Sequence, residues 1–216
     1  MTMLPKDVLS KIDFARLDPC HSLLHIQKAC NLALDVGFRG VCVHPKFIGV
    51  TKFMLENSTI KTISVVDFPH GGRNTSMRLK DVMAFHDLGA DELDIVMNIS
   101  EAKAGNWNQV YDDLVVVVKA SYVPVKIIVE TDLLVEDEKI KAAEVVLQSG
   151  AQYLKTGTGT VKNGLGASIS DIRLFAEILG DHCGIKASGG INSRRQVFDL
   201  LGSGATIIGT SGIWDM

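Results

Sequence analysis

Two lysines in the second half of the chain carry its strongest chemical signal. Lys155 in the run YLKTGTG and Lys186 in GIKASGG each follow a short apolar stretch and precede a glycine-rich loop. Burial strips hydration from an ammonium group and a second ammonium repels it, so both effects favour the neutral amine. A neutral amine attacks carbonyl carbon. Two lysines at equivalent strand ends therefore favour imine chemistry over the alternative, in which each side chain only extends along the surface to solvent.

A buried carboxylate is predicted to accompany the two lysines. In the run ADELDIVMN, Asp94 lies between two apolar residues, whereas Asp91 and Glu92 come at the beginning of the run. A carboxylate inside the protein needs a cationic partner, and Lys186 would supply one. The other interpretation of Asp94 is an ion pair with a purely structural role.

Glycine is abundant after the last three predicted strands, in the runs TGTGTVKNGLG, SGG and GTSG. Backbone N–H groups exposed by glycines bind phosphate, although glycines can also serve only to form turns. The chain has no GxGxxG directly after a first strand, and Leu165 stands where a P-loop would have its lysine. The pattern therefore favours a phosphate group over a whole nucleotide.

A divalent metal site is a weaker possibility. His44 and His70, with Asp67 or Asp13, could supply nitrogen and oxygen ligands, but no HxxxH or HxH spacing fixes such a site. His21 and the histidine four residues after it lie at a predicted helix start, which we expect to be remote from the strand ends. We therefore predict no metal and no cofactor.

The elements that must position these residues alternate along the chain. A short leading helix is predicted at 4–12, and each later strand is separated from the next by a helix. The apolar, mostly β-branched character of the strands is typical of a parallel sheet buried on both faces. The eight strands are predicted at 12–17, 40–44, 62–69, 90–98, 125–131, 152–157, 184–188 and 205–211.

Eight such units predict an α/β fold, a TIM (β/α)8 barrel forming a single domain over residues 1–216, with a doubly wound open sheet as the alternative. Few residues follow the last strand, so we expect the eighth helix to be missing or truncated. The leading helix or a second subunit would then cover that strand, with Trp214 in the contact.

Composition narrows the function classes. The net charge is −3, and no lysine- or arginine-rich run is interleaved with aromatic residues, which argues against a nucleic-acid partner. No stretch reaches the roughly 18 apolar residues that a membrane span needs. The four cysteines form no CxxC pair and the N-terminus lacks the apolar core of a signal peptide, so we expect a cytoplasmic protein.

The runs ADELDIVMN, KIIVET, YLKTGTG, GIKASGG and GTSG, in this order, closely resemble the 2-deoxyribose-5-phosphate aldolase family. The resemblance implies a metal-independent class I aldolase on a TIM barrel. Such an enzyme reversibly joins acetaldehyde and glyceraldehyde 3-phosphate into 2-deoxyribose 5-phosphate. By this resemblance Lys155 forms the Schiff base, Lys186 is the second lysine that keeps it neutral, and Asp94 takes part in proton transfer.

The same resemblance implies a small phosphosugar as the partner. We expect a homo-oligomer, either a dimer or a tetramer. The residues expected to bind substrate and its phosphate lie in the loops after the last three strands: Thr156, Thr158, Gly189, Gly190, Gly209, Thr210, Ser211 and Gly212.

The chain also departs from the family pattern. Gly157 and Gly212 stand where serine is usual, and Phe14 and Ala15 replace polar residues near the start. Some members have a lysine in place of Thr160. Fewer hydroxyl groups leave open a Schiff-base aldolase for another short-chain aldehyde or ketone, and a non-catalytic phosphosugar-binding barrel. His44, His70 and a carboxylate leave open a different mechanism, that of a metal-dependent sugar-phosphate epimerase or isomerase.

Overall fold

Eight parallel strands close into a barrel in sequence order in the computed structural model, which describes residues 4–212. Closure comes from β1 pairing with β8, where Asp13 lies opposite Gly209. This confirms the predicted TIM barrel and rules out the open sheet. The strands are β1 Ile12–Arg16, β2 Gly40–Val43, β3 Lys61–Val66, β4 Glu92–Val96, β5 Val125–Ile128, β6 Tyr153–Lys155, β7 Gly184–Ser188 and β8 Ile207–Thr210.

Helices surround the barrel and cover its outer face. They are α1 Lys6–Leu9, α2 Leu23–Val36, α3 Ile48–Leu55, α4 Thr75–Asp87, α5 Ile99–Lys103, α6 Trp107–Ala120, α7 Glu136–Ser149, α8 Ile169–Leu179 and α9 Arg194–Gly202, with short 3₁₀ turns at Pro45–Phe47 and Thr131–Leu133. Within residues 4–212 no helix combines the length and the apolar character needed to cross a membrane.

The strands are buried on both faces, as their composition predicts. Strands β2, β4, β5 and β8 are buried along their whole length. The main hydrophobic core lies between strands and helices, while a small apolar cluster of Cys42, Ile63 and Val65 lies apart from it. Because the outer core is apolar, charged side chains on these strands concentrate in the barrel interior.

Local turn chemistry sets the ends of several helices. Helix α2 ends at Gly37 and α7 at Gly150, each with a left-handed backbone (φ 82° and 80°) that glycine adopts without strain. The sequence after β4 predicts one long helix through Tyr111 and Val118, but the structure has two helices, α5 and α6. Gly105, with φ 78°, breaks the helix between α5 and α6.

The eighth helix was expected to be missing or truncated, with the leading helix or a second subunit covering β8, and the structure agrees with this only in part. Helix α9 packs against β8, and the leading helix contributes Val8 and Leu9 to the main core. Ser211 and Gly212, which follow β8, are not helical. The contact predicted for Trp214 lies outside the described residues.

Candidate active site

The strand register brings the two predicted lysines together. Lys155 at the end of β6 lies directly opposite Lys186 on β7. The Nζ atoms of both side chains lie 2.8 Å from the same atom, Oδ2 of Asp94. Asp94 is fully buried and the lysines are 2% and 1% exposed. The three residues singled out in the sequence therefore form one contact group.

A third lysine, which the sequence analysis missed, completes the coordination of Asp94. Lys126 on β5 is fully buried, and its Nζ lies 2.9 Å from Oδ1 of Asp94 and 2.6 Å from Oε2 of Glu92. Its signal in the sequence is a lysine between two apolar residues in VKIIV, the same kind of pattern that identified Asp94. Glu92, expected only at the strand's beginning, is itself 4% exposed.

Two more residues extend this network across the barrel. Oδ2 of Asp13 on β1 forms an ion pair with Nζ of Lys186 at 2.7 Å, and its Oδ1 accepts from Nη1 of Arg39 at 2.8 Å. Arg39 also donates to both carboxylate oxygens of Glu92. Asp13 therefore forms close ion pairs, shorter than 3 Å, with two cations. The buried charge cluster comprises the carboxylates Asp13, Glu92 and Asp94 and the cations Arg39, Lys126, Lys155 and Lys186.

Charge balance separates Lys155 from the other lysines of the buried charge cluster. The cluster's three carboxylates face four basic side chains. Lys186 bridges two of those carboxylates, and Lys126 contacts two at less than 3 Å, whereas Lys155 contacts Asp94 alone. A neutral Lys155 leaves the cluster balanced, and a protonated one adds a buried positive charge with no anion of its own. Lys155 is therefore the lysine of the cluster with the fewest carboxylate contacts.

The neighbours of Lys155 have fixed charge states. Burial alone would raise the pKa of Asp94, but the attraction of Lys126, Lys155 and Lys186 outweighs it and holds that pKa well below its usual range. Burial alone would lower the pKa of Lys186, but Asp13 and Asp94 outweigh it and raise that pKa above its usual value. At neutral pH Asp94 is therefore a carboxylate and Lys186 an ammonium.

A cleft of about 640 Å³ opens at the carboxyl ends of the strands, a size suited to a small ligand. Loops after β1, β3, β6, β7 and β8 line it. The cleft includes all the residues predicted to bind substrate or phosphate except Thr156: Thr158, Gly189, Gly190, Gly209, Thr210, Ser211 and Gly212.

The hydroxyl groups of Thr156 and Thr210 form hydrogen bonds with backbone groups. Thr156 is fully buried; its Oγ1 donates to the carbonyl of Ser188 at 2.8 Å and accepts from the amide of the same residue at 2.9 Å. Oγ1 of Thr210 donates to the carbonyl of Ile191 and accepts from the amide of Gly212. Both threonines fasten the loops in place.

The glycine pair after β7 makes a tight turn. Gly189 and Gly190 have φ of 97° and 66°, a region that disfavours other residues. The loop after β6 packs directly against them, since a Cβ on Gly166 would lie 2.3 Å from the carbonyl oxygen of Gly189. These glycines are needed for the turn whether or not a phosphate binds there.

The departures from the family pattern have visible structural consequences. A Cβ on Gly157 would lie 2.8 Å from Oε1 of Glu130, a side chain that accepts from both the amide and the hydroxyl of Thr158. Phe14 is fully buried with its ring centroid 5.1 Å from that of Phe38. Ala15 lines the cleft without a polar group.

The side chains considered for a metal do not converge. Nε2 of His44 donates to the carbonyl of Leu17 at 2.9 Å, and His70 is exposed. Among residues 4–212 no three His, Cys, Asp or Glu side chains are grouped so that they could hold an ion. His21, expected to be remote from the strand ends, instead lines the cleft.

Comparison with known proteins identifies the family. A sequence model of the DeoC/LacD family aldolases matches residues 7–213. This chain is a DeoC/LacD family aldolase. The family assignment confirms the resemblance seen in the motifs and makes the chain a carbon–carbon lyase rather than a metal-dependent isomerase.

Relatives of this aldolase share most of its length. It is 39% identical to the deoxyribose-phosphate aldolase of Dictyoglomus turgidum, over 95% of this chain and 93% of the relative. It is 38% identical to that of Thermosynechococcus vestitus, over 97% and 95%. A solved structure described as a tetrameric deoxyribose phosphate aldolase from Aeropyrum pernix superposes with a TM-score of 0.87 at 28% identity, over 95% and 87%.

Proposed function

We propose that this aldolase reversibly cleaves 2-deoxy-D-ribose 5-phosphate to acetaldehyde and D-glyceraldehyde 3-phosphate, with Lys155 as the Schiff-base lysine. One observation carries the proposal: Lys155 and Lys186 share Oδ2 of Asp94 in a family aldolase with a cleft at the same end of its barrel. The names of the curated relatives support the choice of substrate.

In the first step, neutral Lys155 attacks the carbonyl carbon of the open-chain sugar. Its nitrogen loses a proton to Oδ2 of Asp94, 2.8 Å away, while the carbonyl oxygen takes up a proton from solvent, and the carbinolamine forms. Asp94 returns the proton to the carbinolamine hydroxyl, which leaves as water and gives the protonated imine. Lys186, held as an ammonium by Asp13 and Asp94, disfavours a second positive charge on free Lys155.

The protonated imine is the electron sink for cleavage. The 3-hydroxyl gives up its proton, through water, to Asp94, and the bond between the second and third carbons breaks. Its electron pair moves toward the imine to form an enamine, while the third carbon becomes the aldehyde of glyceraldehyde 3-phosphate. Protonation of the enamine carbon and hydrolysis then release acetaldehyde and restore Lys155.

We assign substrate and phosphate binding to the loops that line the cleft. The backbone of Gly189 and Gly190 after β7, and of residues 209–212 after β8, lies in the region where TIM barrels commonly place a phosphate. Thr158 lines the cleft on the opposite loop, with its hydroxyl hydrogen-bonded to Oε2 of Glu130. Thr156 acts indirectly, because its hydrogen bonds to Ser188 link β6 to β7.

A second candidate is a Schiff-base aldolase with another short-chain aldehyde or ketone as substrate. Ala15 and Gly212 line the cleft without hydroxyl groups, which favours substrates with fewer polar groups. The ratio of kcat/KM for phosphorylated and unphosphorylated deoxyribose separates the two candidates, since only the first predicts a strong preference for the phosphate.

The proposal includes a cytoplasmic location, no metal or cofactor, and a homo-oligomer that is a dimer or a tetramer. The tetramer described for the Aeropyrum pernix protein supports the oligomer. Light scattering coupled to size-exclusion chromatography tests it; a monomer at micromolar concentration contradicts it.

The function is tested by incubating the purified protein with deoxyribose 5-phosphate and measuring glyceraldehyde 3-phosphate by a coupled dehydrogenase assay. Turnover is expected in the wild type, with a loss of about 10³-fold or more in Lys155→Leu, because the nucleophile is gone. Lys162→Leu is the matched control, since that exposed lysine lies outside the buried charge cluster. A folded wild-type protein without turnover contradicts the proposal.

A further inference from the structure

One charged side chain of the cleft is not used by the chemistry above. Arg16, the last residue of β1, is the only lysine or arginine among residues 4–212 that lines the cleft. It is partly buried, and no carboxylate of the described residues lies within 4 Å of its guanidinium. The cleft's own carboxylate, Asp18, is exposed and accepts from the amide of Cys20 at 2.7 Å.

Arg16 lies against the loop after β8. Its Nη1 donates to the carbonyls of Ala15 and Ser211, each at 3.0 Å. Its Cζ lies 3.7 Å from the ring centroid of the fully buried Phe14, so the guanidinium is stacked on an aromatic face. Within residues 4–212, no acceptor lies in hydrogen-bonding range of Nε or Nη2, the other edge of the guanidinium.

A partly buried cation in a ligand cleft that has no carboxylate partner among the described residues indicates an anionic ligand group. The glycine loops after β7 and β8 line the same cleft. Gly212 has no side chain and the Thr210 hydroxyl donates to the carbonyl of Ile191, so Ser188 and Ser211 are the residues of this wall whose hydroxyl groups remain. A guanidinium edge matches the geometry of two phosphate oxygens.

We propose that Arg16 binds the phosphate group of the substrate through Nε and Nη2 and sets the preference of this aldolase for phosphorylated sugars. The inference rests on the proposed function. It adds a charged side chain, Arg16, to the phosphate site formed by the backbone of the loops after β7 and β8. Arg16 compensates for the hydroxyl groups absent at positions 15 and 212. Phe14 belongs to the same arrangement, because its ring supports the guanidinium.

The test compares wild type with Arg16→Gln, Arg16→Lys and the control Arg173→Gln, which removes an exposed arginine of α8 outside the cleft. KM and kcat are measured for deoxyribose 5-phosphate and for deoxyribose, and binding of inorganic phosphate is measured by calorimetry. Circular dichroism establishes that each variant is folded.

For Arg16→Gln, kcat/KM for the phosphorylated sugar is expected to fall by about 10- to 100-fold, mostly through KM. Phosphate affinity falls in parallel, while kcat/KM for deoxyribose stays unchanged. Arg16→Lys keeps the charge but loses the bidentate geometry, so its kcat/KM for deoxyribose 5-phosphate should fall less than that of Arg16→Gln. If Arg16→Gln does not fold, Arg16→Lys is used for the test instead. Arg173→Gln behaves as wild type.

Equal losses for both sugars would assign Arg16 a structural role and overturn the proposal. Unchanged phosphate affinity in Arg16→Gln, or a wild type that does not bind phosphate, would also overturn it. The wild type could bind phosphate without cleaving deoxyribose 5-phosphate, while Arg16→Gln no longer binds phosphate. In that case the proposed function fails and the assignment of Arg16 as a phosphate ligand stands.

Discussion

Replacing Asp94 by asparagine removes the anion that three lysines share. The carboxylate accepts from Lys126 at 2.9 Å and from Lys155 and Lys186 at 2.8 Å. Asparagine is nearly the same size, but one of its two terminal atoms is an NH₂ group. Whichever way the amide is oriented, that group faces at least one lysine donor, so a buried cation loses its partner.

The expected magnitude follows from complete burial. Removing one partner of a buried ion pair costs about 3 to 5 kcal/mol, because the remaining charge stays desolvated. For a chain of this length that corresponds to a fall of about 6 to 20 °C in Tm. Loss of the proton acceptor beside Lys155 should also reduce kcat by about 10² to 10⁴-fold.

Thermal unfolding and urea denaturation measure the stability change, with Asp91→Asn as the matched control. Asp91 lies just before β4 and pairs with Lys52 at 2.6 Å, but its side chain is 25% exposed, so its loss should cost about 1 kcal/mol. The double variant Asp94→Asn/Lys186→Met removes a cation as well and should regain part of the stability but none of the activity.

An Asp94→Asn protein that unfolds no earlier than the Asp91→Asn control would refute the reasoning. It would mean that the carboxylate of Asp94 is not needed to stabilise the buried ammonium groups of these lysines. A double variant less stable than Asp94→Asn alone would refute the charge-balance argument in particular.

Three further predictions follow from the buried charge cluster and its surroundings. Lys126→Met should lower the free energy of unfolding by about 3 kcal/mol in urea denaturation while reducing turnover less than Asp94→Asn does; an unchanged stability would contradict the buried pairing. The lowered pKa values of Asp13 and Asp94 mean that their stabilisation is complete above about pH 4 and is lost as pH falls through the lower folded-state values. Urea denaturation from roughly pH 2 to pH 7 should therefore show a loss of stability in acid that is less steep in Asp94→Asn than in the wild type. Equal slopes in the two proteins would count against this prediction. EDTA and the variant His44→Ala should leave turnover unchanged, and a chelator-dependent loss that added metal restores would favour a metal mechanism instead.

The barrel and the lysine pair could be predicted because both depend on local pattern. Eight apolar runs separated by helices are enough to indicate a (β/α)8 fold. A lysine at the end of such a run, as at Lys155 and Lys186, then necessarily comes to the carboxyl end of the barrel. The interior position of Asp94 followed from its apolar neighbours.

Lys126 was missed although its neighbours are just as apolar. In a strand buried on both faces there is no alternation of polar and apolar residues, so the sequence does not separate the barrel interior from the outer core. What places Lys126 beside Asp94 is the register between β4 and β5, where the two residues lie opposite each other. Register across strands is a tertiary property, and a single sequence does not specify it.

Arg16 and the helix break at Gly105 were missed for different reasons. Arg16 meets Ser211 only because the barrel closes between β1 and β8, a contact between residues 195 positions apart. Gly105 lies within a segment of otherwise helical character, and only its φ of 78° shows that the chain turns there.

Borohydride trapping tests the central claim most directly. The protein is incubated with acetaldehyde or deoxyribose 5-phosphate, reduced, digested and analysed by mass spectrometry for a modified lysine. The account predicts one adduct on Lys155 that disappears in Lys155→Leu, with Lys126 and Lys186 unmodified. An adduct on either of those lysines instead, or no adduct in folded protein, would contradict the imine mechanism proposed for Lys155.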